Sequence, residues 1–190
     1  MATDRRDEPA AILVTPEVRL VPFDPAHAAD DAFEELLSSY QDRDTVRMVD
    51  GPGAEIYDLA KLKAMFDYMS KHGELYLIER RTPDRGWIPI GDAGLQTDAA
   101  PVVLAPRHRG QGIGRAVVSA LIDRARTLGW ASVEVSDIYD YNVASRRTNE
   151  SLGFVAVGAT ELGHRYRLVL TRLRHGASHP PDTSRLQDRD

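Results

Sequence analysis

The chain has 190 residues, a formal net charge of −5 at pH 7 and no cysteine. This length suits one domain with tails, and 42% hydrophobic and 28% charged residues are typical of a globular protein. The absence of cysteine excludes disulfides, thiolate zinc sites and a cysteine nucleophile. The acidic excess argues against a nucleic-acid-binding protein, because that class carries a basic surface. Any binding site for an anion must therefore be local.

The two ends of the chain differ from its middle. Residues 1–11 and 175–190 are rich in polar residues and lack apolar periodicity, which predicts disordered tails around a domain at residues 12–174. The apolar stretches are far shorter than the roughly 20 residues of a spanning helix, and the charged N-terminus is unlike a signal peptide. We therefore expect a soluble, cytoplasmic protein without a membrane partner.

Periodicity predicts a strand, two helices and a hairpin in the first half of the domain. Alternation over residues 17–23 predicts the strand. Apolar side chains at helical spacing then recur from Phe33 to Tyr40 and from Leu59 to Met69, which predicts two consecutive helices. Between them, residues 41–54 have few apolar residues and predict the longest loop. Two strands follow, joined by turn residues 82–86.

The second half of the domain alternates strands and helices. Its predicted elements are a strand at 101–105, a helix at 114–128, a strand at 132–139, a helix at 142–152 and strands at 154–157 and 165–173. The resulting order is β-α-α-β-β-β-α-β-α-β-β. Strands bunched in the middle, with helices near each end, predict an α/β (α+β) fold rather than a doubly wound one.

One segment combines glycines with positive charge between a predicted strand and the clearest predicted helix. Its three glycines and three arginines are Gly110, Gly112, Gly114, Arg107, Arg109 and Arg115. Glycines let a backbone approach a ligand, and N–H groups at a helix N-terminus favour anions. The pattern indicates a phosphate site, although a glycine-rich turn with solvated arginines fits it too. It matches neither the Walker loop nor the dinucleotide fingerprint.

The segment resembles the signature of the GNAT superfamily of acyl-CoA-dependent N-acetyltransferases. That signature, Gln/Arg-x-x-Gly-x-Gly/Ala, appears here as Arg109-x-x-Gly112-x-Gly114. The stretch from Asn142 to Phe154, which ends in Leu-Gly-Phe, is similar to the asparagine-led helix and following strand of that family. The resemblance covers roughly residues 17–172. It implies a GNAT-like, mostly antiparallel central sheet of about seven strands flanked by about four helices.

The resemblance also implies a co-substrate, acetyl-CoA, and no metal. The backbone of Val102, Val103 and Leu104 would pair with the pantetheine arm across a gap between their strand and the one at Val135. An N–H group in this gap could stabilise the thioester oxyanion. Asn142 would touch the cofactor, although it equally suits a helix cap. The pyrophosphate would be held by Arg109, Gly110, Gln111, Gly112, Ile113, Gly114 and Arg115.

Acetyl transfer to an amine requires a proton acceptor, because an alkyl amine is mostly protonated near pH 7. Asp137 falls where some members of the family carry a glutamate base. Asp140 and Asp92 are alternatives by sequence position. An Asp near a strand end also serves as a turn or capping residue, so the sequence leaves both roles open for Asp137.

The leaving thiolate needs a proton as well. Many members of the family place a tyrosine seven residues after the leading asparagine, where this chain has Asn149. An amide has no titratable proton to give. Tyr139 and Tyr141, just before the predicted helix, are the phenols that could take this role, and aromatic packing is the alternative for both.

Two functions are consistent with these features. The first is an N-acetyltransferase whose acceptor is a primary amine of a small molecule, amino acid derivative or peptide. The second is a sensor or regulatory module that binds acyl-CoA without turnover, which the missing tyrosine permits. The sequence leaves a homodimer open and predicts no nucleic-acid partner.

Overall fold

The computed structural model describes residues 9–170. The predicted tails therefore lie outside the described residues, except for residues 9–11, and so does the predicted end of the domain at residues 171–174. Within the described range, no helix combines the length and the apolar character needed to cross a bilayer.

The strands form two separate antiparallel sheets. They are β1 (Ile12–Thr15), β2 (Val18–Pro22), β3 (Gly73–Thr82), β4 (Gly86–Gln96), β5 (Val102–Leu104), β6 (Ser132–Tyr139), β7 (Val155–Ala159) and β8 (Gly163–Val169). The first sheet has five strands in the order β1-β2-β3-β4-β5. The second has three strands in the order β6-β8-β7. All the pairings within both sheets are antiparallel.

Helices connect and cover the sheets. They are α1 (Asp30–Tyr40), α2 (Arg43–Asp50), α3 (Leu59–His72), α4 (Ile113–Thr127) and α5 (Val143–Ser151). Local chemistry sets their starts: Asp58 caps α3 by accepting a hydrogen bond from the Lys61 N–H, and Asn142 caps α5 in the same way through Ser145. A short 3-10 turn at Pro106–His108 links β5 to the glycine segment.

The five-stranded sheet has a hydrophobic core on each face. Side chains alternate between the faces of β3, so Tyr76 and Ile78 pack in one core with α4, whereas Leu75 and Leu77 pack in the other with α1 and α3. The second sheet adds its inner residues, such as Val133 and Tyr166, to the α4 core. The helices before β3 thus lie on the opposite face of the sheet from α4.

The two sheets part between β5 and β6. β5 has only three residues and pairs with β4 along one edge, where Val103 lies opposite Asp92. Its other edge faces β6, and no ladder joins the two strands within the described residues. β6 is itself irregular here, because its register with β8 shifts between Val135 and Ile138. The gap expected between the strands at Val103 and Val135 is therefore present.

The predicted loop at residues 41–54 is wrong in its middle, because α2 occupies Arg43–Asp50. The side chain of Asp42 caps this helix by accepting a hydrogen bond from the Thr45 N–H at 2.9 Å. Two residues of the helix, Thr45 and Val46, are buried. The helix has no long apolar stripe, which is the signal that predicts a helix from sequence. The cap and the packing stabilise it instead.

The α/β class and the antiparallel sheet are confirmed. Within residues 9–170 the structure has eight strands and five α-helices rather than about seven and about four. The additions are α2 and β1, a strand of four residues that is too short to produce a clear alternation. The single central sheet of the prediction is divided at β5, since β5 and β6 do not pair.

A carboxylic acid is buried beside the gap. Asp92, in the middle of β4, and Tyr40, at the end of α1, are each 1% exposed. The Tyr40 hydroxyl lies 3.0 Å from both carboxyl oxygens of Asp92 and donates to them. Burial raises the pKa of Asp92 to about 7, even though the hydrogen bond from Tyr40 favours the charged form.

The cap of α2 gives a first prediction. We expect Asp42→Ala to lower the free energy of unfolding by about 1 kcal/mol, because it removes the acceptor for the Thr45 N–H. Asp42→Asn keeps a capping oxygen and should change it by less than about 0.5 kcal/mol. Urea unfolding of the three proteins measures the difference. Equal losses in both variants would contradict the capping role.

The buried carboxyl of Asp92 makes stability depend on pH. Its pKa is about 7 when folded and about 3.9 in an unfolded chain, so between these values the folded state binds the proton more tightly. Stability therefore falls as the pH rises through this window. Asp92→Asn cannot ionise and should be more stable than the wild type by a few kcal/mol above about pH 8, since each pKa unit corresponds to about 1.4 kcal/mol.

Near pH 4 the Asp92→Asn variant and the wild type should have similar stability, because Asp92 is then protonated when folded. Urea unfolding at a series of pH values measures both curves. Asp98→Asn is the matched control, since Asp98 is an exposed carboxylate just beyond the end of β4. A constant difference between Asp92→Asn and the wild type across the pH series would refute this account.

Candidate functional site

A groove of about 490 Å³ lies between the edges of the two sheets. This volume is in the range of small-molecule sites, about 300–1,000 Å³. Of the described residues that line it, Arg109 and Asp137 are the charged ones. The lining comprises Thr45, Met48 and Val49 of α2, Ala99 to Leu104, Arg109, Gly114 and Val118 of α4, Val135 to Asp137 of β6, and Asn142, Ala144, Ser145, Thr148 and Asn149 around α5.

Two glycines shape the turn at one end of the groove. Gly110 and Gly112 have φ angles of 72° and 78°, in the left-handed region that other residues rarely adopt. A Cβ atom added to either glycine would meet nothing within 4 Å. The backbone requires glycine at both positions for its conformation, and the space above this backbone is open to a ligand.

The turn leads into the N-terminus of α4. Gly112 is the N-cap residue, no side chain of the described residues caps the helix, and its first turn contains no acidic residue. The first N–H groups of a helix have no partner inside the helix, and the dipole places partial positive charge there. This end of α4 is therefore suited to bind an anion such as a phosphate group.

The surroundings of the turn are positive although the chain is acidic. Burial and then the nearby charges of Arg107 and Arg80 lower the pKa of His108, which keeps its imidazole neutral near pH 7. The Arg80 guanidinium donates a hydrogen bond to Gln111 at 2.8 Å. The positive charge near the turn therefore comes from both β3 and the glycine segment.

The side chain of Arg109 points away from the turn and towards α2. Its Nε donates to the Leu104 carbonyl at 2.9 Å, and its Nη2 donates to the Thr45 hydroxyl. Its Nη1 lies 3.8 Å from the carboxylate of Asp42. Arg109 thus connects the end of β5 and the glycine segment to the first turn of α2.

Other side chains predicted to bind the phosphate also form contacts within the protein. Gln111 donates to the Arg107 carbonyl at 3.1 Å, and Arg115 donates to the Ser151 hydroxyl at 3.1 Å. Ile113 is 8% exposed and packs in the core. These contacts within the protein leave the backbone N–H groups at the start of α4 as the groups that a helix N-terminus offers to an anion.

Asn142 lies at the N-terminal end of α5, whereas Ser151, which contacts Arg115, lies at its C-terminal end. Its Oδ1 caps the helix by accepting from the Ser145 N–H at 3.2 Å, and its Nδ2 donates to the Met48 carbonyl at 3.4 Å. The capping role predicted for Asn142 is therefore confirmed. The residue also lines the groove, so its predicted contact with a cofactor stays a prediction.

The three candidate bases occupy different environments. Asp137 is exposed and lines the groove at the irregularity of β6, where one carboxylate oxygen accepts from the Thr160 hydroxyl at 2.8 Å. Asp140 is exposed and lies 3.1 Å from the His164 imidazole, apart from the groove lining. Asp92 is buried under β5. Only Asp137, of these three, is placed to meet a ligand in the groove.

Tyr139 and Tyr141 stack on each other beside the groove. Their ring centroids are 5.4 Å apart, and the Arg47 guanidinium lies 3.9 Å from the centroid of Tyr141. The Tyr141 hydroxyl donates to the Arg47 carbonyl at 2.7 Å. Burial raises the pKa of both phenols, so both stay protonated at neutral pH. Neither is among the residues that line the groove.

Sequence reasoning missed the wall of the groove that α2 provides. Thr45, Met48 and Val49 lie in the segment predicted as a loop. The available signal was Asp42, a residue type that is favoured at the N-cap position of a helix. Among residues 9–170, no group of three or more His, Asp or Glu side chains could hold a metal ion.

Solved structures share this fold. The chain is similar to the microcin C7 self-immunity acetyltransferase MccE in complex with acetyl-CoA and AMP, with a TM-score of 0.66 and 18% identity, covering 88% of this chain and all of that one (100%). It is also similar to spermidine N-acetyltransferase from Vibrio cholerae in complex with CoA and spermine, with a TM-score of 0.63 and 14% identity, covering 82% and 96% of the two chains.

Two curated relatives match parts of the sequence. L-amino acid N-acyltransferase MnaT of Escherichia coli (strain K12) is 36% identical over 86 residues, which are 43% of this chain and 49% of the relative. L-methionine sulfoximine/L-methionine sulfone acetyltransferase of Salmonella typhimurium is 47% identical over 53 residues, which are 28% and 30% of the two chains. The chain thus spans about half the length of the first relative and under a third of the second.

The family match covers most of the domain. A sequence model described as "Acetyltransferase (GNAT) domain" matches residues 17–155, well over half of the chain. The matched region contains the glycine segment, the gap between β5 and β6, and α5. The chain therefore belongs to the GNAT acetyltransferase family.

Proposed function

We propose that the protein transfers an acetyl group from acetyl-CoA to a primary amine of a small molecule, amino acid derivative or peptide. The amine nitrogen attacks the thioester carbonyl carbon directly, the carbon–sulfur bond breaks, and the amine loses a proton. The family, the CoA-bound structural neighbours, the N-acyltransferase relative and the acetyltransferase relative support this proposal.

The observation that carries the proposal is the continuity of the anion site with the groove. The N-terminus of α4 lies at one end, and the edges of β5 and β6, which have no strand partner in the part of the chain that the structure describes, form the walls beyond it. A ligand with a pyrophosphate at one end and an amide-containing arm at the other needs these two features in this order. Acetyl-CoA is such a ligand, and it supplies an activated acetyl group as a thioester.

The described residues fit this ligand. The open space above Gly110 and Gly112 leaves room for the pyrophosphate. The predominantly apolar walls at Val102, Val103 and Val118 suit the arm, while unpaired N–H groups at the β5 edge can pair with its amides. An N–H group at this edge can also donate a hydrogen bond to the thioester oxygen as negative charge develops on it.

Asp137 is the proposed proton acceptor. It is exposed on the groove at the point where β6 departs from regular pairing with β8. The hydrogen bond from Thr160 orients one of its carboxylate oxygens, and the other can accept a proton from the incoming ammonium group. Burial separates Asp92 from the groove, and Asp140 lies beside His164 instead.

Tyr139 and Tyr141 are the proposed sources of the proton for the departing thiolate. Tyr139 ends β6 and Tyr141 lies two residues further on, so both follow Asp137 closely. Both are protonated at neutral pH, and Asn149 cannot perform this step. The Tyr141 hydroxyl already donates to the Arg47 carbonyl, so a small rotation would have to release it. The Tyr139 hydroxyl does not donate to the Arg47 carbonyl, so it needs no such rotation.

The anion site can be tested at the turn before α4. We expect Gly112→Glu to weaken CoA binding by at least about 100-fold, because a side chain and a negative charge would enter the space and field for the pyrophosphate. Gly129→Glu is the matched control: Gly129 has a φ of 75°, an added Cβ there also meets nothing within 4 Å, and it follows the opposite end of α4. Titration calorimetry of both variants with CoA measures the effect. Similar affinities in the two variants would refute the site.

The base can be tested with Asp137→Asn. We expect kcat to fall by about 10²–10⁴-fold while the affinity for CoA is unchanged, because the variant cannot accept a proton. Asp140→Asn is the matched control on the same strand end and should keep near-normal turnover. Steady-state kinetics with an identified amine and calorimetry with CoA make the comparison. Loss of turnover in the Asp140 variant alone would transfer the role to Asp140.

The proton donor can be tested by removing single hydroxyl groups. Tyr139→Phe or Tyr141→Phe should lower kcat and kcat/KM together by about 100-fold if that phenol protonates the thiolate, with CoA affinity retained. A phenol with only a packing role should leave turnover nearly unchanged. Normal turnover in both variants would remove both tyrosines from the reaction.

Turnover itself separates an enzyme from a sensor with the same fold. We expect free thiol to be released from acetyl-CoA in the presence of at least one member of a broad panel of primary amines, and more slowly without an amine. A dye that reacts with thiols can follow the release, since the chain has no cysteine to interfere. CoA binding without amine-dependent release across the panel would instead support the sensor.

A further inference from the structure

Asn149 lies on the wall of the groove and has an unsatisfied polar atom. The residue is 5% exposed and lines the groove from α5. Its Oδ1 is buried and has no hydrogen-bond donor among residues 9–170. Buried acceptors in native proteins almost always have a donor, so this oxygen indicates a partner that binds in the groove.

The chemistry of the helix fixes which end of the amide faces the ligand. Asn149 Nδ2 donates to the Ser145 carbonyl, one turn earlier, at 2.9 Å. The opposite rotamer would place Oδ1 against this carbonyl, and two acceptors repel each other. Nδ2 is therefore bound to the helix, and Oδ1 is the atom left for a ligand.

The position of Asn149 along the groove identifies the part of the ligand that it meets. Arg115, in the first turn of α4, donates to Ser151, so this end of α5 lies beside the anion site. Asn142, at the other end of α5, donates to the Met48 carbonyl of α2. Asn149 is about 3 Å along the helix axis from Ser151 and about 10 Å from Asn142. It therefore lies between the anion site and the α2 end of the groove.

The donor must come from a ligand group in that intermediate position. The pyrophosphate and the thioester sulfur of acetyl-CoA carry no N–H, whereas the pantetheine arm between them has amide N–H groups. We infer that Asn149 Oδ1 accepts a hydrogen bond from an amide N–H of the pantetheine arm, an inference that rests on the proposed function. Asn149 then binds CoA and holds its arm, and it takes no part in proton transfer.

Calorimetry with two ligands tests this inference. The ligands are CoA and 3′-phosphoadenosine 5′-diphosphate, which keeps the nucleotide and pyrophosphate but lacks the arm. We expect Asn149→Leu to raise the Kd for CoA about tenfold, because an apolar side chain leaves the amide N–H of the arm unpaired. The Kd for the truncated nucleotide should stay within about twofold of the wild type, since that ligand never reaches Asn149.

A second substitution and a control keep the test independent of folding. Asn149→Ala places the best helix former at this position and should raise the Kd for CoA at least about threefold, with water replacing part of the lost contact. Glu150→Gln is the control on the neighbouring residue of α5, which bonds to Tyr166 and does not line the groove. Its Kd for CoA should match the wild type.

Each alternative result overturns the inference in a distinct way. Wild-type affinity for CoA in both Asn149 variants refutes it and leaves the proposed function standing. Equal weakening of CoA and the truncated nucleotide also refutes it, because the lost contact would not lie on the arm. Normal CoA affinity with a raised KM for the amine would make the amine the donor. Failure of the wild type to bind CoA overturns the proposed function as well.

Discussion

The unpaired edge between β5 and β6 is the constraint on which the site depends. Backbone N–H and C=O groups must find partners, and within residues 9–170 β5 satisfies only one of its edges, through β4. If β6 paired with the other edge, the groove would close and the N–H groups facing it would be lost to a ligand. The register of β6 with β8 is irregular from Val135 to Ile138. Residues of α2 and α5 line the groove between the two sheets.

One side chain connects the two ends of this groove. Arg109 bonds to the Leu104 carbonyl at the end of β5 and to Thr45 on α2, and it lies near the Asp42 cap. The turn that faces the anion and the helix that forms the far wall are therefore fixed by the same guanidinium. Arginine suits this position because its planar group donates in several directions at once. A ligand that orders the glycine segment should thereby also order α2.

Local chemistry explains what the sequence could predict. Gly112 and the caps at Asp58 and Asn142 act within a few residues of themselves, so the turn, the helix starts and the family signature are visible in the sequence. The rest depends on distant partners. α2 is stabilised by Arg109, which is 64 residues from Thr45 in the sequence. The burial of Asp92 follows from the pairing of β4 with β5 and from Tyr40, 52 residues away. No window of sequence contains these contacts.

Hydrogen exchange of the backbone amides, with and without CoA, tests the central claim most directly. The account predicts that CoA slows exchange at residues 110–115 and at the β5 N–H groups that face away from β4, because these groups gain partners only when the ligand binds. Exchange along β1 and β7, the outer edges of the two sheets, should stay the same. Protection at those outer edges, with none at residues 110–115 or β5, would contradict the account.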